Sequence, residues 1–155
     1  MPPTDATIAD YFRKGIETGL LLPRQAHSWA DSVIAKTNQP PDGFIEVALS
    51  HYIPALVSAL KEFPGERDQI LVARWLLALV MQRHDLQSMA GLEAAIRQAI
   101  LVSRHCGFNE AAHEFELLND ALCLACHGQY GTVEACRTDF FACLQEHALP
   151  FPEAL

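Results

Sequence analysis

The chain has 155 residues, of which half are hydrophobic and 19% are charged, and its formal net charge is −8. This balance is typical of a folded domain and excludes a disordered chain, because disorder needs low hydrophobicity and high net charge. A chain of this length predicts one domain, 1–155, that buries a core without metals or disulfides.

The N-terminal residues and the cysteines both indicate the cytoplasm. Residues 1–5 contain neither a basic segment nor an apolar segment, so we expect no secretory signal. The five cysteines are an odd number, which argues against a disulfide framework and favours buried free thiols in a reducing compartment. We therefore expect a cytoplasmic protein.

Four helices are predicted before residue 64. Apolar residues at steps of three and four predict the first, which begins near residues 4–7 and runs to about 21, and the second, at about 24–36. The turn-rich run 38–43 ends the second helix, since its prolines and glycine do not fit a helix interior. Two shorter helices are predicted at about 44–50 and 54–63.

The stretch 70–81 predicts a helix that is buried on most of its sides. Arg74 is its one charged residue, and the apolar residues around it show no two-residue alternation. The run is shorter than the roughly 20 residues that a membrane span needs. We therefore predict a central helix at about 66–84, with Trp75 in the core.

Three more helices are predicted at about 88–105, 109–127 and 132–147, with Gly107 as a left-handed cap and Asn109 as an N-cap. The predicted fold class is all-α, a compact bundle of about seven to eight short helices around the central helix. One five-residue similarity, between 70–74 and 100–104, leaves an array of helix-pair repeats as an alternative architecture.

The acidic residues are concentrated at the C-terminal end. Residues 105–155 contain eight acids and one base, Arg137, so this third carries a charge of −7. Such a surface repels phosphate backbones and attracts basic proteins, so we expect a basic protein partner, no nucleic acid and no membrane. A solvated surface that only aids solubility is the alternative.

One predicted helix concentrates four of these acids within three turns. Acids four residues apart repel each other unless a cation or a basic partner lies between them. The sequence therefore predicts partner-binding residues here: Glu110, Glu114, Glu116 and Asp120.

A Cys/His-rich stretch offers a second possibility. Cys123, Cys126 and His127 match the CxxCH pattern of c-type haem attachment, which conflicts with a cytoplasmic location. A zinc site using Cys123, Cys126, His127 and Cys136, with Cys143 and His147 within reach, fits better, because zinc takes four such ligands. Helical core spacing explains the same cysteines without a metal.

No catalytic motif is complete. His113 and Glu114 begin an HExxH pattern, but the second histidine is missing, and the chain has neither a nucleophile elbow nor a phosphate-binding glycine loop. We therefore expect a non-enzymatic protein without a cofactor. A metal- or thiol-dependent regulator that uses the Cys/His-rich region is the alternative function, and a helical scaffold is a third.

Residues 19–50 carry a resemblance to a known class of proteins. The pattern includes Trp29-Ala30-Asp31 and the pair Pro40-Pro41. It resembles small all-helical bacterial immunity proteins, which accompany secreted antibacterial toxins and neutralise them. The resemblance implies that the protein occludes a cognate toxin, and a basic toxin would be attracted by the acidic third.

Overall fold

The computed structural model describes residues 2–153, and eight α-helices cover most of this range. No strand occurs within it, so the predicted all-α class is confirmed. The contacts divide the chain into two compact units, one ending at Asp68 and the other beginning at Gln69. The expectation of a single domain stays a prediction, because compact units of one chain can belong to one domain or to two.

The first unit contains four helices in cyclic contact. The first packs on the second, the second on the third, the third on the fourth, and the fourth on the first. This order places one shared core between them. The helices are α1 (Asp5–Glu17), α2 (Pro23–Lys36), α3 (Asp42–Leu49) and α4 (Ile53–Lys61).

Trp29 of α2 lies at the centre of this core and is 7% exposed. Its ring stacks on Phe12 of α1 at 5.3 Å between centroids, and contacts Phe44 of α3 at 5.0 Å. Phe63, just after α4, completes the cluster at 5.6 Å from Trp29. Aromatic pairs at such distances stabilise a core beyond the effect of their buried area.

The first helix ends four residues earlier than predicted. Thr18 is its C-cap and Gly19 follows with φ +78°, a left-handed conformation that favours glycine. The amide of Leu21 donates to the carbonyl of Gly15 at 3.0 Å, so the chain turns back over the helix. A Cβ on Gly15 would lie 2.3 Å from Leu21 Cδ1, which explains why a residue without a side chain stands there.

A buried ion pair closes the first unit. Asp10 of α1 is fully buried, and its Oδ1 accepts hydrogen bonds from Arg67 and Arg13. Arg67 also donates to the carbonyl oxygens of Lys61 and Phe63, at 2.6 Å each. One guanidinium therefore joins the end of α4 to the middle of α1.

The second unit repeats the same cyclic order of contacts. Its first helix packs on the second, the second on the third, the third on the fourth, and the fourth on the first. The helices are α5 (Gln69–Arg83), α6 (Met89–His105), α7 (Asn109–Cys126) and α8 (Val133–His147).

The predicted central helix corresponds to α5, and its burial on most sides is confirmed. Its seven buried residues cover roughly three-quarters of the helix circumference at 100° per residue. Trp75 is 2% exposed and contacts the ring of Phe151 edge-on at 4.9 Å. The helix begins at Gln69, a few residues later than predicted, because Arg67 is bound to α1.

The similarity between 70–74 and 100–104 does not mark a repeat of helix pairs. The first stretch begins at the second residue of α5 and the other at the twelfth residue of α6, so they occupy opposite ends of their helices. Gly107 has φ +68°, as the predicted cap requires. The N-cap of α7 is Phe108, however, so Asn109 is the first helical residue and not the predicted cap.

Candidate functional site

The four predicted acids of α7 lie in two pairs around the helix. Glu110 and Glu114 lie about 40° apart around the helix, and Glu116 and Asp120 are separated equally, but the two pairs are centred about 120° apart. Glu116 forms an ion pair with Arg104 of α6. The repulsion that we expected between Glu116 and Asp120 is therefore partly relieved inside the protein.

Glu114 faces α8 and accepts two hydrogen bonds there. His147 Nε2 lies 2.8 Å from Glu114 Oε2, and Cys143 Sγ lies 3.1 Å from the same oxygen. Cys143 and His147 are buried, whereas Glu114 is half-buried. Because a carboxylate oxygen only accepts, Nε2 and Sγ both carry their protons in this arrangement.

Hydrogen bonds and burial shift the pKa values of two of these groups. The hydrogen bond from His147 is the main cause that lowers the pKa of Glu114, followed by that from Cys143, while burial opposes them. Burial is the main cause that raises the pKa of Cys143 to about 12, and the hydrogen bond to Glu114 and the charge of Glu146 add to it. The Cys143 thiol therefore stays protonated at neutral pH and is a poor nucleophile in this state.

The residues around His147 hold its ring and its backbone in place. The rings of Phe108 and Phe115 contact the imidazole edge-on, at 5.1 and 6.2 Å between centroids. Arg74 Nε of α5 donates to the carbonyl oxygen of His147 at 2.9 Å, and the amide of Leu149 donates to the carbonyl of Arg74 at 3.0 Å. The end of α8 is thus tied to α5.

The predicted metal ligands Cys123, Cys126, His127 and Cys136 do not converge. Within residues 2–153, the only cluster of three or more His, Cys, Asp or Glu ligand atoms within 4.8 Å of one another is Glu114, Cys143 and His147. Cys123, Cys126 and His127 are exposed at the end of α7, whereas Cys136 is buried. Burial, with smaller effects of Asp139 and Cys126, raises the pKa of Cys136. The predicted four-residue zinc site is therefore not formed in this arrangement.

Cys123 and His127 do not form a nucleophile–base pair in this geometry either. Cys123 Sγ lies 3.8 Å from His127 Nδ1, and the same nitrogen lies 2.8 Å from the carbonyl oxygen of Cys123. A carbonyl oxygen only accepts, so Nδ1 carries a proton and donates it to the backbone. That nitrogen is then not available to take the proton of the thiol.

One side of α7 is exposed along nearly its full length, and we call it the α7 outer face. Its residues follow steps of three and four and cover about 80° of the helix surface. Leu117 and Leu124 are 56% and 40% exposed, and the acids lie at the two edges of this strip. The α7 outer face consists of Glu110, His113, Leu117, Asp120 and Leu124, all of which are exposed.

A second acidic feature lies in the first unit. A cavity of about 360 Å³ opens beside Phe63, and four carboxylates and no basic residue are among its lining residues. The carboxylates come from α1, α3 and the end of α4, so the helix packing brings them together. They are Asp5, Asp42, Glu46 and Glu62.

The cluster of Glu114, Cys143 and His147 has one signal in the sequence, the spacing of Cys143 and His147. These residues are four apart, which places both on one side of α8, yet neither is among the four predicted zinc ligands. Their pairing with Glu114 depends on the packing of α7 on α8 and could not be read from spacing alone.

No helix in the described range 2–153 is both long enough and apolar enough to cross a membrane. Comparison with known protein families, curated proteins and solved structures found no match to this chain.

Proposed function

We propose that this is a non-enzymatic protein-binding protein that acts as an immunity protein, and that it neutralises a basic toxin domain by covering it with the α7 outer face. The observation that carries this proposal is the exposure of Leu117 and Leu124 on a strip of α7 whose two edges carry the acids Glu110 and Asp120. An apolar centre with charged edges is the usual anatomy of a protein interface.

The leucines supply the affinity in this proposal. Full burial of a leucine side chain stabilises by about 1.5–3 kcal/mol, so covering two half-exposed leucines contributes about 2 kcal/mol in total. Their spacing of seven residues places them one above the other along α7. A flat or grooved partner surface can therefore contact both at once.

The acids supply attraction and selectivity. Among the described residues neither Glu110 nor Asp120 forms an ion pair, whereas Glu116 pairs with Arg104 and Glu114 accepts hydrogen bonds from His147 and Cys143. Both belong to the excess of acids in residues 105–155. A basic partner would associate faster with such a surface, and added salt would slow the association.

The immunity role in particular is supported by the resemblance of residues 19–50, which lie in the first unit. That resemblance names no contact residues, so we assign the interface from exposure and charge. Basic side chains of the partner would also fit the cavity beside Phe63, and an interface centred there is the competing arrangement.

The experiment begins with capture of the partner from a lysate of the native host, followed by identification. The captured protein is then produced in a bacterial strain with and without this chain, because an immunity protein must restore growth. Growth inhibition that this chain relieves supports the proposal. A partner without toxicity, or toxicity that this chain does not relieve, contradicts the immunity role.

Two pairs of variants locate the interface. Leu117→Ala with Leu124→Ala should weaken binding at least about tenfold through faster dissociation, since 1.4 kcal/mol corresponds to a factor of ten. Glu110→Lys with Asp120→Lys should slow association and reduce its salt dependence.

The matched control reverses two acids of the cavity in the first unit. Glu46→Lys with Glu62→Lys changes the net charge by the same amount at residues outside α7. Binding that survives this change but not the α7 changes supports the α7 outer face. The reverse result assigns the interface to the cavity.

A further inference from the structure

We propose that Glu114, Cys143 and His147 form a binding site for one zinc ion that joins α7 to α8. Their ligand atoms, a carboxylate oxygen, Sγ and Nε2, all lie within 4.8 Å of one another. This site differs in all its residues from the four-ligand set that the sequence suggested, and it does not depend on the proposed partner.

The donor set selects the kind of metal. Thiolate and imidazole ligands suit zinc and related transition metals, whereas calcium and magnesium take oxygen ligands. Three protein ligands leave the fourth tetrahedral position for water or an external donor, as in zinc sites with an open coordination position. Glu114 is half-buried, so solvent can supply that fourth ligand.

The two separations from the Glu114 carboxylate need only a small adjustment. Zinc bonds of about 2.0–2.3 Å in tetrahedral geometry place ligand atoms about 3.3–3.6 Å apart. The observed separations from Glu114 Oε2 are 2.8 Å to Nε2 and 3.1 Å to Sγ. The atoms must therefore move apart by about half an ångström, and the partly exposed Glu114 side chain is free to rotate by that amount.

The backbone already holds two of the ligands in register. Cys143 and His147 are four residues apart on α8, so their side chains project from the same side of the helix. The edge contacts from Phe108 and Phe115 fix the plane of the imidazole. A fixed imidazole orientation supports metal binding, because the ring need not be ordered when the ion arrives.

The nearby charges are compatible with a cation. Glu146 adds negative charge near Cys143, while Arg74 is engaged with the backbone carbonyl of His147. Binding replaces the hydrogen bonds to Glu114 with metal bonds. The Sγ proton is released to solvent, and the imidazole changes tautomer through solvent: its Nε2 proton is lost and Nδ1 takes one up, so that the neutral ring binds the ion through Nε2.

The test is a titration of the purified full chain with zinc against a chromophoric chelator, with a parallel titration with cobalt. We expect one zinc per chain. We also expect the cobalt protein to show a thiolate-to-metal charge-transfer band together with intense ligand-field bands, which report one sulfur ligand and tetrahedral geometry. A folded wild-type chain that binds no zinc overturns the proposal.

Variants identify the ligands. Cys143→Ser should weaken zinc binding at least about 100-fold and abolish the charge-transfer band, since loss of an outer-shell partner alone typically costs 10–100-fold. Glu114→Gln keeps the side-chain shape and should also weaken binding while leaving the sulfur band in place. Circular dichroism verifies that each variant is folded.

Two controls separate this site from the other cysteines. Cys136→Ser changes a buried thiol of the same helix, seven residues away, and should leave zinc binding unchanged. The double variant Cys123→Ser with Cys126→Ser should also bind normally. Zinc binding that is lost in these controls and kept in Cys143→Ser overturns the assignment. If Cys143→Ser does not fold, the result for Glu114→Gln and the sulfur band of the wild-type chain decide.

Discussion

Arg67→Met tests whether one partly buried guanidinium holds the first unit together. The Arg67 side chain is 18% exposed and its partner Asp10 is fully buried. Methionine keeps an unbranched side chain of similar reach but removes the charge and every donor. The substitution leaves Asp10 with Arg13 alone, and it deprives the carbonyl oxygens of Lys61 and Phe63 of their 2.6 Å hydrogen bonds.

The expected loss of stability is about 3 kcal/mol. Removal of one partner from a buried ion pair costs about 3–5 kcal/mol. The lower end applies here, since Arg13 still donates to Asp10 and Arg67 is not completely buried. With an m-value of about 2 kcal/mol/M in urea, this loss moves the midpoint of unfolding by about 1.5 M.

Urea unfolding followed by far-UV circular dichroism measures the effect. Arg24→Met removes an exposed arginine of α2 and should change the free energy of unfolding by less than about 0.5 kcal/mol. In the double variant Asp10→Leu with Arg67→Met no charge remains buried without its partner, so it should be more stable than Arg67→Met alone. If Arg67→Met unfolds at the wild-type midpoint with an unchanged m-value, the reasoning about this ion pair is refuted.

Three further predictions concern local packing, helix capping and thiol exposure. Gly15→Ala should lower stability by about 1–3 kcal/mol in calorimetry, because the new Cβ would lie 2.3 Å from Leu21 Cδ1; an unchanged melting temperature would contradict this. Ser88→Ala removes the side-chain acceptor at the N-terminus of α6 and should cost about 1 kcal/mol in the same assay, whereas no loss would show that water replaces the cap. Iodoacetamide at neutral pH should modify Cys123 and Cys126 before the three buried cysteines, and faster labelling of a buried thiol in peptide mass spectra would contradict the exposure pattern.

Helix positions are predictable because the periodicity of apolar residues and the breaks at proline and glycine are local properties of the chain. All eight helices are expected from these patterns, with most ends within two residues. The largest error, at the end of α1, has a clear cause. Leu20 and Leu21 are buried by a turn that folds back over the helix, so in the sequence their apolar character resembles a continuation of the helical stripe.

Interactions that join distant parts of the chain are not predictable in this way. Nothing in the neighbours of Arg67 indicates that it binds Asp10, 57 residues earlier. The ion pair exists because helix packing places a buried carboxylate beside the end of α4. Sequence patterns report which side of a helix is apolar, but they do not report which helix lies against it.

The acidic pairs of α7 show how local and distant information combine. Acids four residues apart repel each other unless a cation or a hydrogen-bond donor balances them. For Glu114 and Glu116 that group comes from within the protein, namely His147 and Arg104. Glu114 and Glu116 are turned toward neighbouring helices and contribute to the stability of the fold. Glu110 and Asp120 remain on the exposed side of α7 beside Leu117. An ion at Glu114 would replace hydrogen bonds on the side of α7 that faces α8, whereas the proposed partner contacts the α7 outer face. We therefore expect that variants which lose zinc binding still bind the partner, and that variants which lose partner binding still bind zinc.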